Sequence, residues 1–86
     1  MKQPTEADFE ASAVGAAVRV HFAPTESYFD YNRLADAADI KKYGPISAVA
    51  TVRHEKTGDL GDYSAESAEV YRMAREAALR FVEAGH

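Results

Sequence analysis

The segment "AESAEVYRMAREAALRFVEA", residues 65–84, constrains the fold more than any other part of the chain. Its spacing is helical: Val70, Met73, Ala74, Ala77, Phe81 and Ala84 share one face, while Glu69, Arg72, Glu76, Arg80 and Glu83 share the opposite one. A helix with a single apolar stripe must bury it against another element. The strand-like segments upstream supply that element, so the helix is expected to lie across a sheet and to end at Gly85.

The clearest strand is "AAVRVHF", residues 16–22, where Val18, Val20 and Phe22 alternate with Arg19 and His21. In "SYFDYN", Phe29 and Tyr31 face one way and Tyr28 and Asp30 the other, so 16–32 reads as a hairpin around Pro24. "ISAVATVRH", residues 46–54, reads as a third strand, with Val49 on its second face suggesting cover on that side as well. "EKTG", residues 55–58, has the composition of a turn that closes a further hairpin.

Two short helices complete the prediction. Thr5 with Asp8 three residues on forms a loose capping box before a helix over 6–14, which Gly15 stops. Asn32 caps a second helix over 33–43, with Lys41 and Lys42 in its last turn, then Gly44 and Pro45. The expected fold is α+β: a two-layer sandwich whose mainly antiparallel sheet of about four strands, in two hairpins, is packed by the long C-terminal helix.

With 86 residues the chain is expected to form one domain, 1–86, with residues 1–5 as a flexible N-terminus. It has no cysteine, so neither disulfides nor thiolate-bound zinc can help the small core. No run approaches the roughly 18 apolar residues of a membrane helix, and the N-terminus lacks an apolar leader core, so a soluble, cytoplasmic protein is expected. The net charge of −4 is evenly spread, with no basic arm to neutralise phosphates, which argues against direct nucleic-acid binding.

The stretch "RHEKTGDLGDYSAES", residues 53–67, resembles a metal or phosphate loop in composition. His54, Glu55, Asp59 and Asp62, with His21 approaching from a neighbouring strand, match no known cage spacing. "KTGDLG" has its glycines in the wrong order for a phosphate loop, and Asp59, Asp62 and Glu66 would repel the anion. The local reading is a hairpin tip in which Asp62 and Ser64 cap the last helix and Glu66 lies in its first turn. No cofactor and no metal are expected. The chain has no nucleophile motif and no serine next to a histidine in sequence, so a non-catalytic protein is expected.

What remains is surface. On the last helix Tyr71, Arg75 and Leu79 repeat at i, i+4 and i+8, with Val82 beside them, along the edge of the apolar face. Tyrosine and arginine are enriched at binding hot spots. A second patch is expected at Tyr28, Asp30 and Arg33, next to an edge that could pair with another chain.

From Ile46 to Ala84 the order strand, hairpin and alanine-rich helix is similar to the latter part of a double-stranded-RNA-binding domain. The helix start "GDYSAESAEVY" lacks the lysines that grip phosphate, so the resemblance does not imply RNA binding here. At the level of class alone, a small, acidic, cysteine-free α+β chain looks like phage-encoded inhibitors of bacterial immunity, anti-CRISPR proteins among them. The expectation is therefore a protein–protein interaction module that occupies a surface of another protein or complex, more sharply an inhibitor of a defence nuclease. The alternative is a small homodimeric domain with a ligand or enzymatic site between subunits.

Overall fold

A computed structural model describes residues 2–56 and 58–86. Strands β1 (Phe9–Val14), β2 (Ala17–Phe22), β3 (Ser27–Asn32) and β4 (Thr51–His54) form one sheet in the order β1-β2-β3-β4, antiparallel throughout. Helix α1 (Ala37–Tyr43) lies between β3 and β4, and helix α2 (Ser67–Glu83) packs on one face of the sheet. The fold is α+β, as the apolar stripe and the alternating strands imply.

Register explains the core. Val20 stands opposite Phe29, and Val18 opposite Tyr31. Period-two alternation turns these residues and Phe22 to the same side, where they are buried with Val70, Ala74, Ala77 and Ala78 of α2. The sheet supplies the bulk of this core and the helix mostly small residues. Phe22 anchors one end, with Phe9 tilted on it at 4.9 Å between ring centroids and Tyr63 edge-on at 5.0 Å.

Residues 6–14 do not form the expected helix. The Thr5–Asp8 box exists, with the Thr5 N–H donating to the Asp8 carboxylate at 2.8 Å, but it caps only one 3-10 turn, Glu6–Asp8. Beyond it Phe9, Ala11 and Ala13 follow the strand period and pair with β2 over six residues. Gly15, at φ +58°, is the first residue of a two-residue hairpin loop and not a helix stop. Pairing with a strong neighbouring strand outweighs the weak helix propensity of "EASA". Pro4 is buried beside this turn, and the N-terminal segment 1–5 includes Met1, which lies outside the described residues.

Helix α1 is shorter than 33–43. Asn32 ends β3, and the cap is Asp36, whose Oδ1 accepts from the N–H groups of Ala38 at 2.9 Å and Asp39 at 3.2 Å. Lys41, Lys42 and Gly44 end it as expected. Replacing Asp36 with alanine is expected to cost about 1 kcal/mol of stability, read by urea denaturation. The helix is a closed excursion: Leu34 N–H donates to Pro45 O, Ser47 N–H donates to Asn32 O, and Arg33 bridges Ile46.

The strand expected over 46–54 keeps only its last four residues. Ser47 Oγ accepts from the Asn32 N–H and donates to Val49 O, folding residues 47–49 out of the ladder. Val49 is consequently 80% exposed, the opposite of the cover its position suggested. Among the described residues no strand follows His54; the turn expected at 55–58 includes Thr57, which lies outside them. Leu60 is buried, and six residues of 3-10 helix, Gly61–Glu66, run directly into α2. Among the described residues no side chain caps α2; Ser64 Oγ instead donates to Gly61 O, and the acid in its first turn is Glu69. The order strand, hairpin, helix that underlies the likeness to a double-stranded-RNA-binding domain is therefore not formed. No helix among the described residues is long and apolar enough to cross a membrane.

Candidate functional site

Among the described residues the large apolar side chains left exposed are Val14, Ile40, Tyr43, Val49 and Tyr71, and Tyr43, Val49 and Tyr71 line neighbouring grooves. The two grooves meet at Ala48. One, of about 380 Å³, runs between α1 and the 47–49 loop and is lined by Leu34, Tyr43 and Val49. The other, of about 490 Å³, runs between that loop and α2 and is lined by Tyr71, Arg75 and Leu79. Ile40 lies three residues before Tyr43 on α1, on the same side of the helix.

Each wall of this saddle is held from below. Tyr71 stands edge-on to the buried Phe29, 5.3 Å between centroids. Arg75 Nη2 donates to the carbonyl of Tyr43 at 2.8 Å, which ties the C-terminal end of α1 to α2 where a cation meets the helix dipole favourably. Its Nε is buried without a partner among the described residues. Arg72 is clamped between Glu69 and Glu76 on the rim. Its guanidinium holds the Glu69 carboxyl below the ordinary range.

The structure thus brings Tyr71, Arg75 and Leu79 together at one groove. Leu79 is half-buried and shared between groove and core, and Val82 packs on the core outside the groove. Ile40, Tyr43 and Val49 escaped sequence reasoning, although the out-of-phase Val49 was a visible signal.

Tyr28 and Asp30 lie on the sheet face opposite α2. Register places Arg19 across from Asp30, and His21 and Arg53 across from Tyr28. Arg19 makes a two-pronged bond to Asp30 at 2.8 and 3.0 Å. This hydrogen bond raises the guanidinium pKa further above its ordinary value. Around Tyr28 stand the guanidinium carbons of Arg19 at 5.2 Å and Arg53 at 5.3 Å, and the stacked His21 ring at 4.9 Å. Arg53 is itself paired with Glu55 at 2.9 Å. Arg33 does not join this cluster; it lies past the end of β3 and donates to the carbonyl of His86.

Between residues 53 and 67 the acids Glu55, Asp59 and Asp62 each have a partner within the chain. Asp59 accepts from the Gly61 N–H at 2.7 Å, and Asp62 stands 4.0 Å from Lys2. No group of three metal-ligating side chains occurs among the described residues. One pair unforeseen in the sequence is Ser27 Oγ with His54 Nδ1, 2.8 Å apart, extended by Thr25 Oγ1 at 2.7 Å. A hydroxyl beside an imidazole has the form of a nucleophile and base, but Ser27 has no exposed surface and no substrate can reach it. The pair instead ties β3 to β4.

No family model, no curated protein and no solved structure matches this chain.

Proposed function

We propose that the chain is a non-catalytic interaction module that occupies a surface of another protein, which it meets with the saddle around Ala48. The observation that carries this reading is the gathering of the exposed Tyr43, Val49 and Tyr71 at two joined grooves. Clustered exposed apolar groups rimmed by charge favour a covered state. Tyrosine and arginine fixed in advance, as Tyr71 is by Phe29 and Arg75 by the Tyr43 carbonyl, lose little entropy when a partner docks. Inhibition of a bacterial defence nuclease is the narrower form of the same proposal, since blocking a protein surface is all that such inhibition demands.

The test compares the wild-type chain with Val49→Asp and with Thr51→Lys, an exposed change on the opposite sheet face, as baits in a lysate. A protein retained by the wild type and by Thr51→Lys, and bound roughly thirtyfold more weakly by Val49→Asp, is the expected result. Val49 is too exposed for its change to disturb folding. Retention that ignores Val49→Asp would remove the saddle from the proposal, and a nuclease complex among the retained proteins would support the narrower form.

A further inference from the structure

The two edges of the sheet are built differently. β4 has four residues, with Arg53 among them and Glu55 and Lys56 directly after, which are the devices that keep an edge from pairing with other chains. β1 has six residues, pairs without a bulge, and reads Phe-Glu-Ala-Ser-Ala-Val, with no lysine, arginine or proline. Among the described residues it pairs with β2 alone.

Its hairpin loop determines which backbone groups are free. In a two-residue hairpin the closing pair, here Val14 and Ala17, exchanges both hydrogen bonds, and alternation assigns the same to Ser12 with Arg19 and Glu10 with His21. The N–H and C=O groups of Ala11 and Ala13 therefore point away from β2. The Phe9 N–H also points away, but it is already bonded to the Glu6 carbonyl.

We propose that β1 pairs antiparallel with β1 of a second copy, about a two-fold axis through Ser12, to make a continuous eight-stranded sheet. In this register Ala11 faces the partner's Ala13, and four N–H···O bonds use every outward group of both alanines on both chains. Ser12 meets the partner's Ser12, and Glu10 meets the partner's Val14, so no like charges stand opposite. A shift to an axis through Ala11 would leave the Ala13 carbonyl facing the occupied Phe9 N–H. The contact is small, which places it among weak, roughly micromolar interfaces. It lies at the opposite edge of the sheet from β4 and is independent of the saddle.

Light scattering on the full chain from roughly 10 µM to 1 mM is expected to show the mass rising from 9.4 kDa towards twice that value. Ser12→Glu sets two carboxylates opposite each other on the axis and is expected to weaken the dimer roughly fivefold. The same change places the new carboxylate across from Arg19 within each chain, so its folding is not impaired. Ser12→Cys, in a chain with no other cysteine, is expected to form an intermolecular disulfide on mild oxidation much faster than Ala16→Cys at the loop. A mass that stays at 9.4 kDa, a dimer indifferent to Ser12→Glu, or equal cross-linking of the two cysteine variants would each overturn the proposal.

Discussion

Replacing Phe29 with alanine is expected to lower the unfolding free energy by about 3–5 kcal/mol, a large part of the whole for a domain of this size. Phe29 has no exposed surface. It stands between Val20 on β2 and Val52 on β4 in the middle of the sheet, and its other side meets Tyr71 of α2 edge-on. Truncation removes the ring from water-excluded space and leaves a cavity that the three surrounding elements cannot collapse to fill. Urea denaturation followed by circular dichroism measures the loss. Phe29→Leu, which keeps most of the volume, should recover most of the stability. A loss below roughly 1.5 kcal/mol in Phe29→Ala would show that the sheet and α2 are not packed through this ring. The same residue supports Tyr71, so Phe29→Leu is also expected to loosen one wall of the saddle while the fold persists.

What could be read beforehand was what periodicity encodes. β2 and β3 carry large apolar residues at a period of two and α2 an apolar stripe at the helical period, and the structure forms all three. β1 has alanine and serine where a strand usually carries bulk, and only its register against Val18, Val20 and Phe22 makes it a strand. Helix capping was legible in kind but not in place. Asn32 and Asp36 are both good caps, and the pairing of β3 up to Asn32 leaves the role to Asp36. The saddle divides in the same way. Tyr71, Arg75 and Leu79 follow from helical spacing alone. Tyr43 and Val49 reach them only because hydrogen bonds from Leu34 to Pro45 and from Ser47 to Asn32 close the α1 excursion at its base. Ser27 and His54 are 27 residues apart and meet through the β3–β4 register. A sequence states none of these long-range closures, since each depends on which strands become neighbours.

The stability of the folded chain is expected to fall by roughly 2–3 kcal/mol between pH 10 and pH 12 through a single side chain, Tyr31. Its hydroxyl pKa is pushed up to about 12, chiefly because burial disfavours the phenolate; the nearby Arg75 opposes the shift and Tyr71 adds to it. An unfolded tyrosine ionises near 10. Above that pH the unfolded chain gives up a proton that the folded chain retains, so raising the pH favours unfolding. The stabilising contribution is complete below pH 10 and is gone once the pH passes the folded value. Tyr31→Phe has no proton to lose, and the difference between its pH profile and that of the wild type isolates the effect from the other tyrosines and the lysines. Removing the charge of Arg75, as in Arg75→Met, should delay ionisation of Tyr31 in the folded state to still higher pH, because a cation that attracts the phenolate is gone. Equal slopes for wild type and Tyr31→Phe above pH 10 would mean that the Tyr31 hydroxyl already reaches water, and that the core beneath the saddle is open where the packing of Val18, Tyr31 and α2 closes it.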